Sequence, residues 1–167
     1  MRRHIRSLTA RHEPRGQFLS HLKSGSGAIL GMSLVGGLSS LTGLPLLIAP
    51  LGATAVLLFG QPASPLAQPM NIFAGYLIAA IVGVAAALAF PGAWWAAAIA
   101  VGIAIALMLM LRVTHPPAGA LPLVATASPF QGATLFVVVL IGSASLVVLA
   151  LIHHWIPPRV QYPRPVE

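Results

Sequence analysis

The chain has 167 residues, of which 57% are hydrophobic and only 7% are charged, against roughly a quarter charged in a soluble domain. Arg2, Arg3, Arg6, Arg11, Glu13, Arg15 and Lys23 crowd the start, no Asp, Glu, Lys or Arg follows until Arg112, and none again until Arg159; uncharged stretches this long cannot face water, so the protein is integral to a membrane. With no Cys, and with Glu13 and Glu167 as the only carboxylates, thiolate catalysis, cysteine-bound metals, membrane carboxylate relays and carboxylate cages for cations are excluded.

Residues 1–23 read as a cytosolic basic tail. About twenty residues separate Arg2 and Arg3 from the first apolar run, and that run is interrupted by Gly25, Gly27, Gly31, Gly36 and Gly37, unlike a cleaved signal peptide. The net charge of +7 is concentrated there, which marks the end facing anionic membrane lipid rather than a nucleic-acid surface.

Residues 24–156 are expected to form the transmembrane domain, with 157–167 as a C-terminal tail. Segments 24–41, 72–90, 94–111 and 133–155 are each near the ~20 residues a helix needs to cross the hydrocarbon core. Gly43 and Pro45, Pro91-Gly92, and Ser128-Pro129 with Gly132 punctuate them. Trp94, Trp95, Trp155 and Tyr76 fall toward segment ends, where amphipathic rings favour the interface.

Two further segments, 44–60 and 113–127, are apolar but short, and each contains Pro followed by Gly-Ala: Pro50, Gly52, Ala53 and Pro117, Gly119, Ala120. Proline is tolerated at the start of a helix and not inside it, so extended chain leading into a short helix is predicted at each. At the offset that places Pro50 on Pro117, Gly52 falls on Gly119, Ala53 on Ala120, Pro62 on Pro129 and Gly75 on Gly142. The expected architecture is an all-α polytopic bundle of two pseudo-repeats, each a long helix, a Pro-broken short helix and a long helix. Six crossings put the basic N-terminus, Arg112 and the C-terminal arginines on one side; the alternative is four spanning helices with two re-entrant stubs.

Freed backbone groups at membrane depth must be buried or face a wet cavity, so the two short segments are the expected site. A short-helix N-terminus offers N–H groups and a positive dipole end, and Gly52 and Gly119 permit close approach. Without membrane carboxylates the site suits a small anion or neutral solute. His115 can donate a hydrogen bond to an anion, take up a proton as the anion passes, or cap broken backbone, and any proton coupling would rest on His115 or on protonated substrate; Arg112 can draw anions or anchor topology; Thr54 and Thr114 can line a path or bond back to their own helices. Gln61, Ser64, Gln68 and Asn71 form a Pro-rich polar loop, read as turn chemistry or a vestibule. His153 and His154 are expected at the interface. Small residues recur every four positions at Gly27 and Gly31, at Ala79, Gly83 and Ala87, and at Ala98, Gly102 and Ala106, faces suited to helix packing or to a homo-oligomer, dimer or trimer.

Thr114-His115-Pro116-Pro117-Ala118-Gly119-Ala120, together with the block from Gly52 to Gly60 continuing through Pro62, Ser64 to Pro69 and Asn71, resembles the HPP family of small integral membrane proteins. The resemblance covers roughly residues 24–155. It implies a cofactor-free, multispanning inner-membrane protein, usually described with four transmembrane helices, with relatives linked to nitrite transport. Some relatives carry a regulatory CBS domain, which is not expected here. A channel or secondary carrier for a small anion, nitrite by resemblance, is therefore expected, with a non-transporting assembly subunit as the alternative. No phosphate-binding loop and no nucleophile–base constellation is present, so no ATPase or other enzyme is expected.

Overall fold

The computed structural model describes Ala10 and residues 18–127 and 132–165, so the arginines of the basic tail and the Ser128-Pro129 turn lie outside the described residues. Among those described, the chain is helical. Helix α1 spans Phe18–Thr42, α2 spans Ala49–Ala55 and continues as a wider π-type stretch over Val56–Gly60, and a tight turn at Pro65–Ala67 leads into α3, Pro69–Ala89. Then come α4, Trp94–Met110, a 3-10 turn at Pro116–Ala120 running into α5, Leu121–Ala127, and α6, Ala133–Trp155. α1, α3 and α6 are long and apolar enough to cross a membrane, and α4 is a shorter apolar helix.

The predicted segments are recovered, with shifted ends. α1 spans Phe18–Thr42, so His21 and Lys23 lie on helix. Lys23 Nζ donates to the carbonyls of Ile156 (2.5 Å) and Pro158 (2.6 Å), tying the start of α1 to the exit of α6. Gly43, Gly92 and Gly132 take positive φ values of 70°, 74° and 68° where the chain turns between helices, a region open to glycine without a Cβ clash.

Both short segments traverse the bundle instead of turning back. Leu51 packs on Gly142 midway along α6, whereas the Leu58 carbonyl reaches His154 near the end of α6, and Phe59 abuts Gly27 near the beginning of α1. The extended stretch before α2 and α2 itself therefore run back to the end where α1 began. Likewise His115 lies beside Gly75 early in α3, Pro122 and Ala125 beside Gly83 further along, and Leu123, Thr126 and Ala127 line a pocket with Gly92 to Trp94 at the α3–α4 turn. Six traverses result, with Lys23, Arg112, Arg159 and Arg164 toward one end. The re-entrant alternative does not form: the first short segment passes along α1 from Gly36, beside Leu47, to Gly27, beside Phe59, and the second passes along α3 from Gly75 to the α3–α4 turn, the extended residues ahead of each helix adding length.

The pairwise packing maps onto itself when the halves are exchanged. α1 packs on α6 as α4 packs on α3, α2 on α6 as α5 on α3, and the two short segments touch each other. The glycines agree: a Cβ on Gly75 would come within 2.8 Å of the His115 Cβ from the other half, and a Cβ on Gly142 would collide with Leu51 from the first half. α3 and α6, the last long helix of each half, thus each carry a glycine where the opposite half's short segment crosses, which makes the repeat structural. The periphery is apolar as a lipid-facing surface requires, with Ile29, Leu77, Ile99 and Leu140 exposed, while alanine and glycine fill much of the interior.

Candidate functional site

Ile48 and His115 occupy the position just before each short helix, and both are extended (φ −99°, ψ 144° and φ −131°, ψ 98°). They fall on each other at the Pro50–Pro117 offset. The expected field of free N–H groups does not form at either tip. Pro50, Pro116 and Pro117 carry no N–H, and the next donors are taken, Leu51 N–H by the Ile48 carbonyl (3.0 Å) and Ala118 N–H by the His115 carbonyl (3.0 Å). Gly52 and Gly119 do not serve close approach either: a Cβ at Gly52 would meet nothing within 4 Å, and at Gly119 only Ile105 at 3.8 Å. Ala53 and Ala120 are exposed. The same prolines that start the helices remove donors that their tips would otherwise present.

What the short helices do bring together is a sealed polar cluster. Thr54 Oγ1 lies 2.8 Å from His115 Nε2 and 2.7 Å from the Tyr76 hydroxyl, and 3.1 Å from the Pro50 carbonyl one turn back. His115 Nδ1 is 2.8 Å from the Leu66 carbonyl. Thr54 and His115 are 0% exposed and Tyr76 1%. α2 supplies the threonine, α3 the tyrosine, the extended link just before the 3-10 turn the histidine and the Pro65–Ala67 turn the carbonyl, so four parts of the chain converge. The Leu66 oxygen can only accept, so Nδ1 bears the hydrogen. In the neutral ring Nε2 is then the acceptor, Thr54 donates to it, and Tyr76 donates to Thr54.

The remaining predicted residues frame this cluster without entering it. Thr114 Oγ1 reaches back 3.5 Å to the Met108 carbonyl, closing the end of α4. Asn71 Nδ2 donates to the Thr114 carbonyl (3.0 Å), pinning the segment before His115 to the first turn of α3. Arg112 is exposed and holds φ 58°, a left-handed turn after α4. Ser64 Oγ accepts from Leu66 N–H (3.2 Å), and Gln68 Nε2 donates to the Pro62 (3.0 Å) and Ser64 (2.8 Å) carbonyls, which shapes the turn that presents the Leu66 oxygen.

Two expectations are corrected, and on α4 packing within the chain gives way to an outward face. Tyr76 is not interfacial: Gly75 beside it lets the second half come close enough to bury the ring edge-on to His115, centroids 5.2 Å apart. His153 and His154 are 4% and 2% exposed, because Gly27 admits Phe59 against them and α1 covers them. His154 Nε2 donates to the Leu58 carbonyl (2.8 Å) and His153 Nε2 lies 3.4 Å from Ser26 Oγ. On α4 the stripe Ala98, Gly102, Ala106 faces outward, and Ala100, Ala104 and Met108 pack inward instead.

The C-terminal residues fold back over this end. Tyr162 is 5% exposed and donates to the Ala67 carbonyl (3.0 Å), and Arg164 N–H donates to Gln68 Oε1 (2.9 Å). Burial pushes the Tyr162 phenol above its ordinary range. Reasoning from sequence missed Tyr76, Tyr162 and Leu66 as site residues; nothing in local spacing marks them, since each joins the site only across the fold. A cavity of about 380 Å³ between α3 and α6 is lined by Tyr76 together with Met70, Phe73, Phe136, Val139 and Ser143, so one wall of the cluster borders open apolar space. No group of three His, Asp or Glu converges among the described residues.

A family model described as "HPP, transmembrane region" matches residues 13–163. Two transmembrane proteins of Dictyostelium discoideum are 38% and 34% identical to the chain over 125 residues, 70% of its length. The chain spans only 40% and 44% of those relatives. No solved structure matches.

Proposed function

The chain belongs to the HPP transmembrane family, and from that premise we propose that it is a channel or secondary carrier for a small inorganic anion, with nitrite the first candidate. The carrying observation is the Thr54–His115–Tyr76 cluster, placed where the two broken segments cross. Polar groups at that depth are costly in an apolar bundle and are characteristic of solute pathways. The described residues contain no Asp or Glu, so a permeating cation would find no countercharge, while hydroxyl and imidazole donors suit an anion. On this reading the buried cluster is the closed state of the pathway, and parting α3 from α6 at the bordering cavity would expose it.

The cationic end carries Lys23, Arg112, Arg159 and Arg164, which favours both termini on the cytoplasmic side of the inner membrane, against anionic lipid. The outward stripe at Ala98, Gly102 and Ala106 offers a surface for a dimer or trimer, and it also favours the second reading, a non-transporting assembly subunit. Nitrite uptake by the purified protein in sealed vesicles separates the two. Transport predicts uptake above protein-free vesicles; absence of flux together with co-purification of a stable membrane partner establishes the assembly role.

A further inference from the structure

The Thr54 hydroxyl has one hydrogen and two waiting acceptors. In the neutral cluster Nδ1–H of His115 is committed to the Leu66 carbonyl, so Thr54 must donate to Nε2, and the Pro50 carbonyl at 3.1 Å goes without that hydrogen. If Nε2 gains a proton, the bond reverses. Nε2–H donates to Thr54 Oγ1, Thr54 turns its hydrogen to the Pro50 carbonyl, and Tyr76 still donates to Thr54. Oγ1 then makes one bond as donor and two as acceptor, its full capacity. Every contact in the cluster is filled only after one proton arrives, and no heavy atom has to move.

The surroundings decide when that proton can arrive. The titratable or charged groups around His115 are Tyr76 on α3 and Arg112 on its own connection. α2 brings Thr54 and the Pro65–Ala67 turn brings a carbonyl, while α4 and α5 contain no titratable side chain, and no carboxylate lies among the described residues. A buried imidazolium without a counter-ion is strongly disfavoured, and so is a lone anion in the same place. Together they form a neutral pair whose charges compensate inside a low dielectric.

We propose that His115, read out through Thr54 and Tyr76, is the proton site of an electroneutral anion–proton symport, loading one proton with each anion. On the side open to water an O–H bond of hydronium, or of the anion's conjugate acid, breaks as the Nε2–H bond forms. On the other side Nε2–H breaks and the proton returns to water as the anion leaves. The inference rests on the transport reading above and assigns its coupling ion.

The test uses the full chain in sealed vesicles, with nitrite outside, a trapped pH indicator and the membrane potential clamped by potassium and valinomycin. Protein-free vesicles are subtracted to remove passive nitrous acid entry. The expected result is protein-dependent nitrite uptake accompanied by one proton, quickened by an inward acid gradient and indifferent to the imposed potential. His115→Gln should cut the proton-coupled rate by about tenfold or more, as should Thr54→Val, whereas Thr54→Ser, which keeps the hydroxyl, retains it. Nitrite flux that tracks the potential without protons, or coupling that survives in His115→Gln, overturns the symport and leaves transport standing. Absence of protein-dependent flux overturns both.

Discussion

The two short crossings share a backbone and differ in chemistry. In each, extended chain runs to a capping residue, proline starts the helix, and a glycine of the opposite half receives the crossing, Gly142 for Leu51 and Gly75 for His115. At the internal offset, His115 corresponds to Ile48 and Thr54 to Leu121. One pair is hydrogen-bonded and buried, while its counterpart is wholly apolar, with Leu121 0% exposed. A duplicated framework therefore needs the glycines and prolines at both sites but the polar pair at only one, which separates what holds the bundle together from what gives it a site.

That separation can be broken most severely at the glycines. Gly75→Ala places a Cβ 2.8 Å from the His115 Cβ, and Gly142→Ala meets Leu51; overpacking of this kind costs about 1–3 kcal/mol. Both variants should lower the unfolding midpoint in detergent by similar amounts if the halves are equivalent supports. A loss confined to Gly75 would mean that only the polar half depends on close packing.

A comparable effect is expected from Thr54→Val, which leaves His115 Nε2 and the Tyr76 hydroxyl buried without partners, at about 1–3 kcal/mol, whereas Tyr76→Phe, removing only one donor, should cost less, about 1 kcal/mol. Leu121→Val at the equivalent position removes one buried methylene, about 1 kcal/mol, and should leave transport intact. Thermal melts and vesicle uptake on the same samples check the contrast; equal functional loss at Thr54 and Leu121 would erase the asymmetry.

The smallest effect concerns the C-terminal residues that fold over the turn holding the Leu66 oxygen. Tyr162 donates to the Ala67 carbonyl, and burial raises its phenol above the ordinary range. An acid whose folded form holds its proton more tightly contributes its stability below the unfolded value and loses it as pH climbs past that point, so the docked tail should loosen above about pH 10. Limited proteolysis from the C-terminus against pH should show cleavage rising there, and Tyr162→Phe should flatten the rise.

Much of the fold was legible because the bilayer imposes it. Residues 24–41, 72–90, 94–111 and 133–155 had the length and apolarity of spans, and Pro50 and Pro117 each fell near a helix start, since a residue lacking N–H is tolerated only there. The offset linking Gly75 to Gly142 was visible too, although its meaning was not. The anion field expected at the short-helix tips failed for a reason already present in the sequence: Pro116 and Pro117 removed the donors that a helix N-terminus supplies.

Composition and charge placement by themselves determined a membrane-embedded, all-helical chain, because a chain whose charges are confined to its ends and to Arg112 admits few other solutions in lipid. Only the tertiary structure decided that Tyr76, silent in any local pattern, would meet Thr54 and His115, that His153 and His154 would be covered rather than interfacial, and that Leu66 would set the histidine's hydrogen. Those outcomes depend on which helices cross, and crossing is decided by where small residues let backbones approach, a property of pairs of segments that no single segment carries.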